Sequence, residues 1–219
     1  MTPQVVVLSA PSGGGKTTIS RTLLERYPDR FAYSVSATTR RPRPGEEDGK
    51  AYRFLTRPEF QRRREAGEFV EWAQYAGEWY GTLKSGIEQD GKHVVLDIEV
   101  QGARQVRAAY PKPASITIFL VPPSAAVLIG RLRARRTETA AEIGRRIDIA
   151  VEEITAAQED REAKIFDRLV ENADLETAIA EVVETVREAR RAWPRTSHME
   201  ALLLELIRGL RSERAARTP

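Results

Sequence analysis

Between Ala10 and Thr17 the chain runs Ala-Pro-Ser-Gly-Gly-Gly-Lys-Thr, three successive glycines followed by a lysine and a hydroxyl residue. Glycines in a row let successive backbone N–H groups turn toward one point, and a helix opening at Lys16 aims its positive end at the same point. The chemistry is polyphosphate binding. The pattern is that of a P-loop, with the Lys16 ammonium set for the outer phosphates and the Thr17 hydroxyl for Mg²⁺. Ala10 stands where the strict pattern has glycine, a departure of one methyl group. Such a site also needs an acidic group at the tip of a neighbouring strand. Asp97, which ends the apolar run Val94-Val95-Leu96, is the candidate; its competing role is to cap a helix starting near Gln101.

A second set of groups falls within one short region: Ser36, Arg40, Arg43, Glu46, Tyr52, Glu71, Tyr80 and Thr82. Arg40 and Arg43, with the two tyrosine hydroxyls, suit a phosphate held by forked and single hydrogen bonds. A carboxylate such as Glu71 has the shape to accept two donors from one edge of a guanine, its N1–H and its 2-amino group, a pair that adenine lacks. Taken alone, Glu71 alternates with apolar neighbours in Glu-Phe-Val-Glu-Trp and reads as an exposed strand face.

These groups need a frame. The β-branched run from Gln4 to Ala10, then the glycine loop, then helical spacing of Ile19, Leu23 and Leu24 reads as strand, loop, helix. Buried strands are expected at His93 to Ile98, Ser115 to Val121 and Arg168 to Glu171, alternating with helices over Gln101 to Tyr110 and Ser124 to Arg135. That alternation means a parallel sheet covered on both faces, an α/β fold. From about Tyr33 to Gly81 the pieces are short and alternating, which reads as an antiparallel insert with one helix begun by a capping box at Thr56 and Glu59. The stretch from Arg131 to Ile147 is charged, poor in large apolar residues and opened by another capping box at Thr139 and Glu142, so it is expected to be exposed. A helix to about Ala192 ends at Trp193-Pro194, and a shorter leucine-rich helix follows, expected to pack on the chain's own core.

Composition narrows the classes. With no cysteine in 219 residues, disulfides and thiolate metal sites are excluded, and two histidines make a histidine metal centre improbable. No apolar run approaches the roughly 20 residues of a membrane helix, and the first residues lack the pattern of a secretion signal. A net charge of +3 is too small to argue for nucleic acid.

The segments Ser9 to Thr18, Ser34 to Phe54, Phe69 to Thr82, Leu96 to Ala103 and Arg131 to Thr139 together resemble guanylate kinase, in order and in spacing, and the similarity runs from Val5 to Ala192. The resemblance implies a P-loop three-layer core of residues 1–32, 84–125 and 149–192. Into it would be set a mixed α/β GMP-binding subdomain (33–83) and a helical lid (126–148), with a C-terminal extension carrying a helix (193–219). It implies transfer of the γ-phosphoryl group of ATP to GMP, and to dGMP, with Mg²⁺. Ala10, Pro11, Ser12, Gly13, Gly14, Gly15, Lys16, Thr17 and Thr18 would hold ATP. The acceptor would meet Ser36, Arg40, Arg43, Glu46, Tyr52, Glu71, Tyr80, Thr82, Asp97 and Glu99, while Thr17 and Asp97 would serve the metal. Lys16, Arg40, Arg131, Arg135 and Arg146 would carry catalysis. Thr82 stands where many members have serine, Glu99 where many have aspartate, and Arg136 where a glycine is common. The implied partners are small molecules alone, in the cytoplasm, with monomer and homo-oligomer both open. Two other readings remain: a catalytically silent relative that binds a phosphopeptide or protein, and a P-loop kinase acting on a ribosyl phosphate.

Overall fold

The computed structural model describes residues 4–75, 77–88, 91–134, 139–160 and 165–216. Strand β1 (Val5–Ser9) runs into helix α1 (Lys16–Arg26) and then β2 (Phe31–Tyr33). Next come β3 (Ala37–Thr38), β4 (Arg53–Phe54), α2 (Arg57–Glu65), β5 (Phe69–Tyr75) and β6 (Glu78–Leu83). The chain continues through β7 (His93–Asp97), α3 (Val100–Ala109), β8 (Ser115–Val121), α4 (Ala125–Arg133) and α5 (Ala140–Glu159). It closes with β9 (Arg168–Glu171), α6 (Leu175–Arg187) and α7 (Ser197–Ala215).

Five strands form a wholly parallel sheet in the order β2-β7-β1-β8-β9. Side chains of β1 point alternately to opposite faces: Val5 and Val7 join a core with α3, α4, α5 and α7, whereas Val6 and Leu8 join one with α1 and α6. That two-sided burial is why the strand reads as a continuous apolar run rather than as an alternation. It also sets the carboxyl ends of β1 and β7 side by side, with Leu8 paired to Asp97, where open α/β sheets hold ligands.

The second sheet, β4-β3-β6-β5, differs from the antiparallel insert expected. β5 and β6 form an antiparallel hairpin through Gly77, whose φ of 83° suits a residue without Cβ. β3 and β4 are parallel, because the long connection between them, rich in Pro and Gly, is free to cross over and return in the same direction. Tyr33 also falls outside the insert, in β2 of the large sheet. Thr56 caps α2 by accepting the Glu59 N–H, but the Glu59 carboxylate turns to Arg62 and Arg63, so only half of that box forms. The box at Thr139 and Glu142 is complete.

The segment from Arg131 to Ile147 is less exposed than expected. Its second half is the start of the 20-residue α5, whose apolar positions Ile147, Ala150, Ile154 and Ala157 continue at helical spacing into the core. Two further limits shift: α6 ends at Arg187, and α7 is 19 residues long. Beyond α6, Trp193 lies between the guanidinium groups of Arg168 and Arg191, 4.0 and 4.2 Å from its ring centre. Arg195 then caps α5, donating to the carbonyls of Ala157, Gln158 and Asp160. Helix α7 lays Leu203, Leu206 and Leu210, all fully buried, into the same core as β1 and β8. Packing on the chain's own core, the role expected of this helix, is the one observed. Among the described residues no helix is long and apolar enough to cross a membrane.

Removing the buried Leu206 side chain leaves a cavity that the packed α5 and α7 cannot fill. Leu206→Ala is expected to lower unfolding free energy by about 2–5 kcal/mol, measured by urea denaturation, with no change in the nucleotide site.

Candidate active site

The turn from Ala10 to Gly15 leaves β1 and enters α1 with Gly13 at φ 81° and Gly15 at φ 97°, a region that disfavours any side chain. Space is as tight as geometry. A Cβ on Gly15 would fall 2.4 Å from Asn172 Nδ2, and one on Gly14 would fall 2.8 Å from the Ala10 methyl. That last distance explains Ala10: the missing side chain of Gly14 makes room for the methyl. Lys16 Nζ donates to the Ala10 carbonyl at 3.0 Å, and Asn172 Nδ2 to the Gly14 carbonyl at 2.8 Å. Gly15, the N-cap of α1, supplies no side-chain cap, so the first N–H groups of an 11-residue helix are presented toward the loop.

Asp97, at the tip of β7, accepts from the Thr17 hydroxyl at 3.0 Å. It does not cap the next helix, whose N-cap is Glu99 and has no side-chain bond. Burial raises the Asp97 carboxyl above its ordinary range, against the pull of Lys16 and of the Thr17 hydroxyl. Burial raises Glu99 likewise, with Lys16 opposing and Asp97 adding to the rise. The Thr17 hydroxyl and the Asp97 carboxylate are two hard oxygen donors within one hydrogen bond. Among the described residues no group of three or more acidic or histidine side chains could form an all-protein cage. Few protein ligands, with phosphate and water completing the shell, is how Mg²⁺ is bound, and these residues fit it.

On the acceptor side, both guanidinium nitrogens of Arg40 bind Glu46, at 3.0 and 2.9 Å, and Glu46 also accepts the Arg43 N–H at 2.8 Å. Glu46 thereby orients the arginine pair. The Arg40 guanidinium lies 5.3 Å over the Tyr52 ring, which meets Tyr80 edge-on at 5.9 Å. Arg43 is exposed, and Ser36 is tied to β4 through its carbonyl, which accepts the Arg53 N–H at 2.9 Å.

Glu71 departs most from the sequence reading, since it is buried at 4% exposure, not on a solvent face. A bulge between Phe69 and Glu71 resets the alternation of β5, and α3 covers that face, with Gln105 bonded to the Trp72 backbone. Gly102 of α3 makes the space, because a Cβ there would lie 2.7 Å from Glu71 Oε2. Across the hairpin the buried Thr82 hydroxyl donates to Glu71 Oε1 at 2.6 Å. Burial pushes the Glu71 carboxyl up to about 7, the Thr82 hydrogen bonds draw it down, and the charge of Glu99 adds to the rise.

From α4, Arg131 approaches the loop: its Nη2 lies 3.5 Å from the Asn172 carbonyl, and its Nη1 is buried with no hydrogen-bond partner among the described residues. Arg146 of α5 acts on the acidity of Tyr75 by its charge. Arg135 and Arg136 lie outside the described residues. Three residues went unnoticed in the sequence. Asn172 directly follows the strand β9, a position where parallel sheets carry ligands, so a signal existed. Glu153 lies two helical turns beyond Arg146 on the same face, and its Oε2 accepts the Ser12 N–H at 3.1 Å. Tyr75, whose acidity is affected by the Ser12 side chain, had no signal of its own.

The unfolded Glu71 titrates near 4.5 and the folded one near 7. Below the lower value both states are neutral and stability is full; as pH rises from the lower value through the upper one, the unfolded chain ionises freely while the folded carboxyl resists, and that stability is lost. Glu71→Gln is therefore expected to stabilise the fold on the order of 3 kcal/mol at about pH 8 and hardly at all at about pH 4, read from urea melts at both.

A family model described as guanylate kinase matches residues 2–189. The guanylate kinase of Nitratidesulfovibrio vulgaris is 49% identical over 181 residues, 81% of this chain and 83% of the relative. That of Thermotoga maritima is 45% identical over 193 residues, 87% and 89% of the two chains. In three dimensions the crystal structure of guanylate kinase from Anaplasma phagocytophilum matches 87% of this chain and 88% of its own, with a TM-score of 0.66 at 29% identity. A phosphate loop and a buried Glu71–Thr82 pair on the second sheet thus agree with extended similarity in sequence and in structure, and the chain belongs to the guanylate kinase family.

Proposed function

We propose that this chain transfers the γ-phosphoryl group of ATP to GMP, and to dGMP, giving ADP and the nucleoside diphosphate. The carrying observation is the desolvated Glu71–Thr82 pair, linked in charge through Glu99 to the Lys16 of a complete phosphate loop. A buried carboxylate beside a hydroxyl is matched to the guanine edge and leaves adenine unpaired. The division follows function: residues 33–83 receive GMP, 126–148 form a lid, and 1–32, 84–125 and 149–192 hold ATP. Residues 193–219 support the core.

Phosphoryl transfer asks for position and charge rather than covalent help from the protein. The N–H groups of Gly13 to Thr17 and the Lys16 ammonium bind the ATP phosphates. Arg40, kept in its fork by Glu46, and Arg43 hold the GMP phosphate with the Tyr52 and Tyr80 hydroxyls, aiming one oxygen at the γ-phosphorus. That oxygen is already ionised near neutrality, so no general base is needed. Mg²⁺, held by Thr17 and Asp97, supplies neutralisation of phosphate charge when bound. Arg131, Arg135 and Arg146 balance the charge on the transferring group, and closure of lid and acceptor unit excludes water.

To accept two N–H donors Glu71 must be ionised, although its carboxyl titrates near 7 in the free site. GMP binding thus releases a proton at or below neutrality. GMP affinity is expected to fall about tenfold per unit as pH drops below 7, beyond any change in ATP affinity, as isothermal calorimetry in buffers of different ionisation enthalpy would reveal. A Mg²⁺-dependent assay of ADP release with GMP, dGMP, AMP, CMP and UMP tests the reaction itself. Turnover confined to the two guanine nucleotides is the expected result; none with any, from protein that binds GMP, would leave a binding module.

A further inference from the structure

Among the buried carboxylates that the mechanism above does not use, one touches the phosphate loop. Glu153 is 8% exposed on α5, and its Oε2 accepts the Ser12 N–H across 141 residues of chain. We propose that Glu153 is a positioning residue for the phosphate loop, holding the Ser12 amide and, through it, the turn that presents Lys16 and the loop's N–H groups to ATP. The inference rests on the proposed function.

Three observations carry it. The turn is pinned on both sides: Glu153 takes the amide of Ser12, and Asn172 donates to the carbonyl of Gly14 at 2.8 Å. Between these anchors lies Gly13, at a positive φ that resists any other shape, while the Pro11 carbonyl accepts the Gly14 N–H at 2.7 Å. Ser12 is also a junction. Its side chain acts on the acidity of Tyr75 in β5, so the loop, the acceptor sheet and the helix that bears Arg146 come together around it. Finally, Glu153 and Lys16 act on each other. Burial pushes the Glu153 carboxyl up to about 7, the Lys16 ammonium opposes that rise, and Glu99 adds to it. A fixed anion here would repel polyphosphate, whereas a group titrating near neutrality can take up a proton as phosphate charge arrives. A positioned amide costs no reorganisation at the moment of reaction, which is why one hydrogen bond behind a loop can govern binding in front of it.

The test compares Glu153→Ala with Glu153→Gln, whose amide oxygen keeps an acceptor in the same place. Steady-state KM for ATP and GMP, calorimetric ADP affinity and thermal unfolding are measured for each. Glu153→Ala is expected to raise KM for ATP and weaken ADP about tenfold, with KM for GMP within about twofold of wild type, while Glu153→Gln stays within about threefold throughout. A structural role alone would lower melting temperature without that split between substrates. The proposal falls if Glu153→Ala leaves ATP and ADP within about twofold, if it weakens ATP and GMP alike, or if Glu153→Gln is as defective as Glu153→Ala. Should Glu153→Ala fail to fold, Glu153→Asp, one methylene short of Ser12, takes its place with the same expectations. Absence of wild-type turnover with GMP would refute the reaction, yet the ADP calorimetry would still decide Glu153.

Discussion

Three desolvated carboxylates, brought from separate stretches of chain, draw what ionisation they keep in part from one ammonium, that of Lys16. Asp97 comes from the tip of β7, Glu99 from the turn after it and Glu153 from the middle of α5, and Lys16 opposes the effect of burial on each. Isolated, such charges are among the costliest groups to take from water. Each is useful for that reason: a carboxyl raised above its ordinary range by burial responds to the charge of arriving phosphate and metal more than an exposed one does.

The two-faced parallel sheet is what makes the arrangement tolerable. Strands β1, β7 and β8 are buried almost throughout, and the two cores they share with the helices supply the apolar burial that offsets a polar cleft at their carboxyl ends. Function and stability are thus divided along the strand axis, with the strained Gly13 and Gly15 gathered on one side.

Helix α7 extends the same logic beyond the region matched by the family model, which stops at residue 189. It touches both α4 and α5. Arg133 of α4 pairs with Glu213 at 2.6 Å, Arg214 bonds Asp148 of α5 at 3.0 Å, and Gly209 allows close approach to Ala125. These ion pairs are partly exposed and weak one by one. The buried leucines beneath them do most of the holding, which is why the leucine stripe belongs to the core.

The phosphate loop, the strands β8 and β9 to the residue, and the identity of Lys16, Thr17 and Asp97 were legible in the sequence alone. Each is written in neighbouring residues: a β-branched run, a glycine turn and the helix that follows are dictated by backbone sterics within a few positions. Glu71 was legible as a type of chemistry but not as a buried group, because period-two alternation describes a strand's own pleat and carries no information about the helix α3 that covers it. Glu153 and Asn172 lie 141 and 158 residues from the loop atoms they bind. Only the tertiary structure could decide them, since a hydrogen bond between distant residues depends on where the sheet carries each one, and that is set by the packing of the whole core.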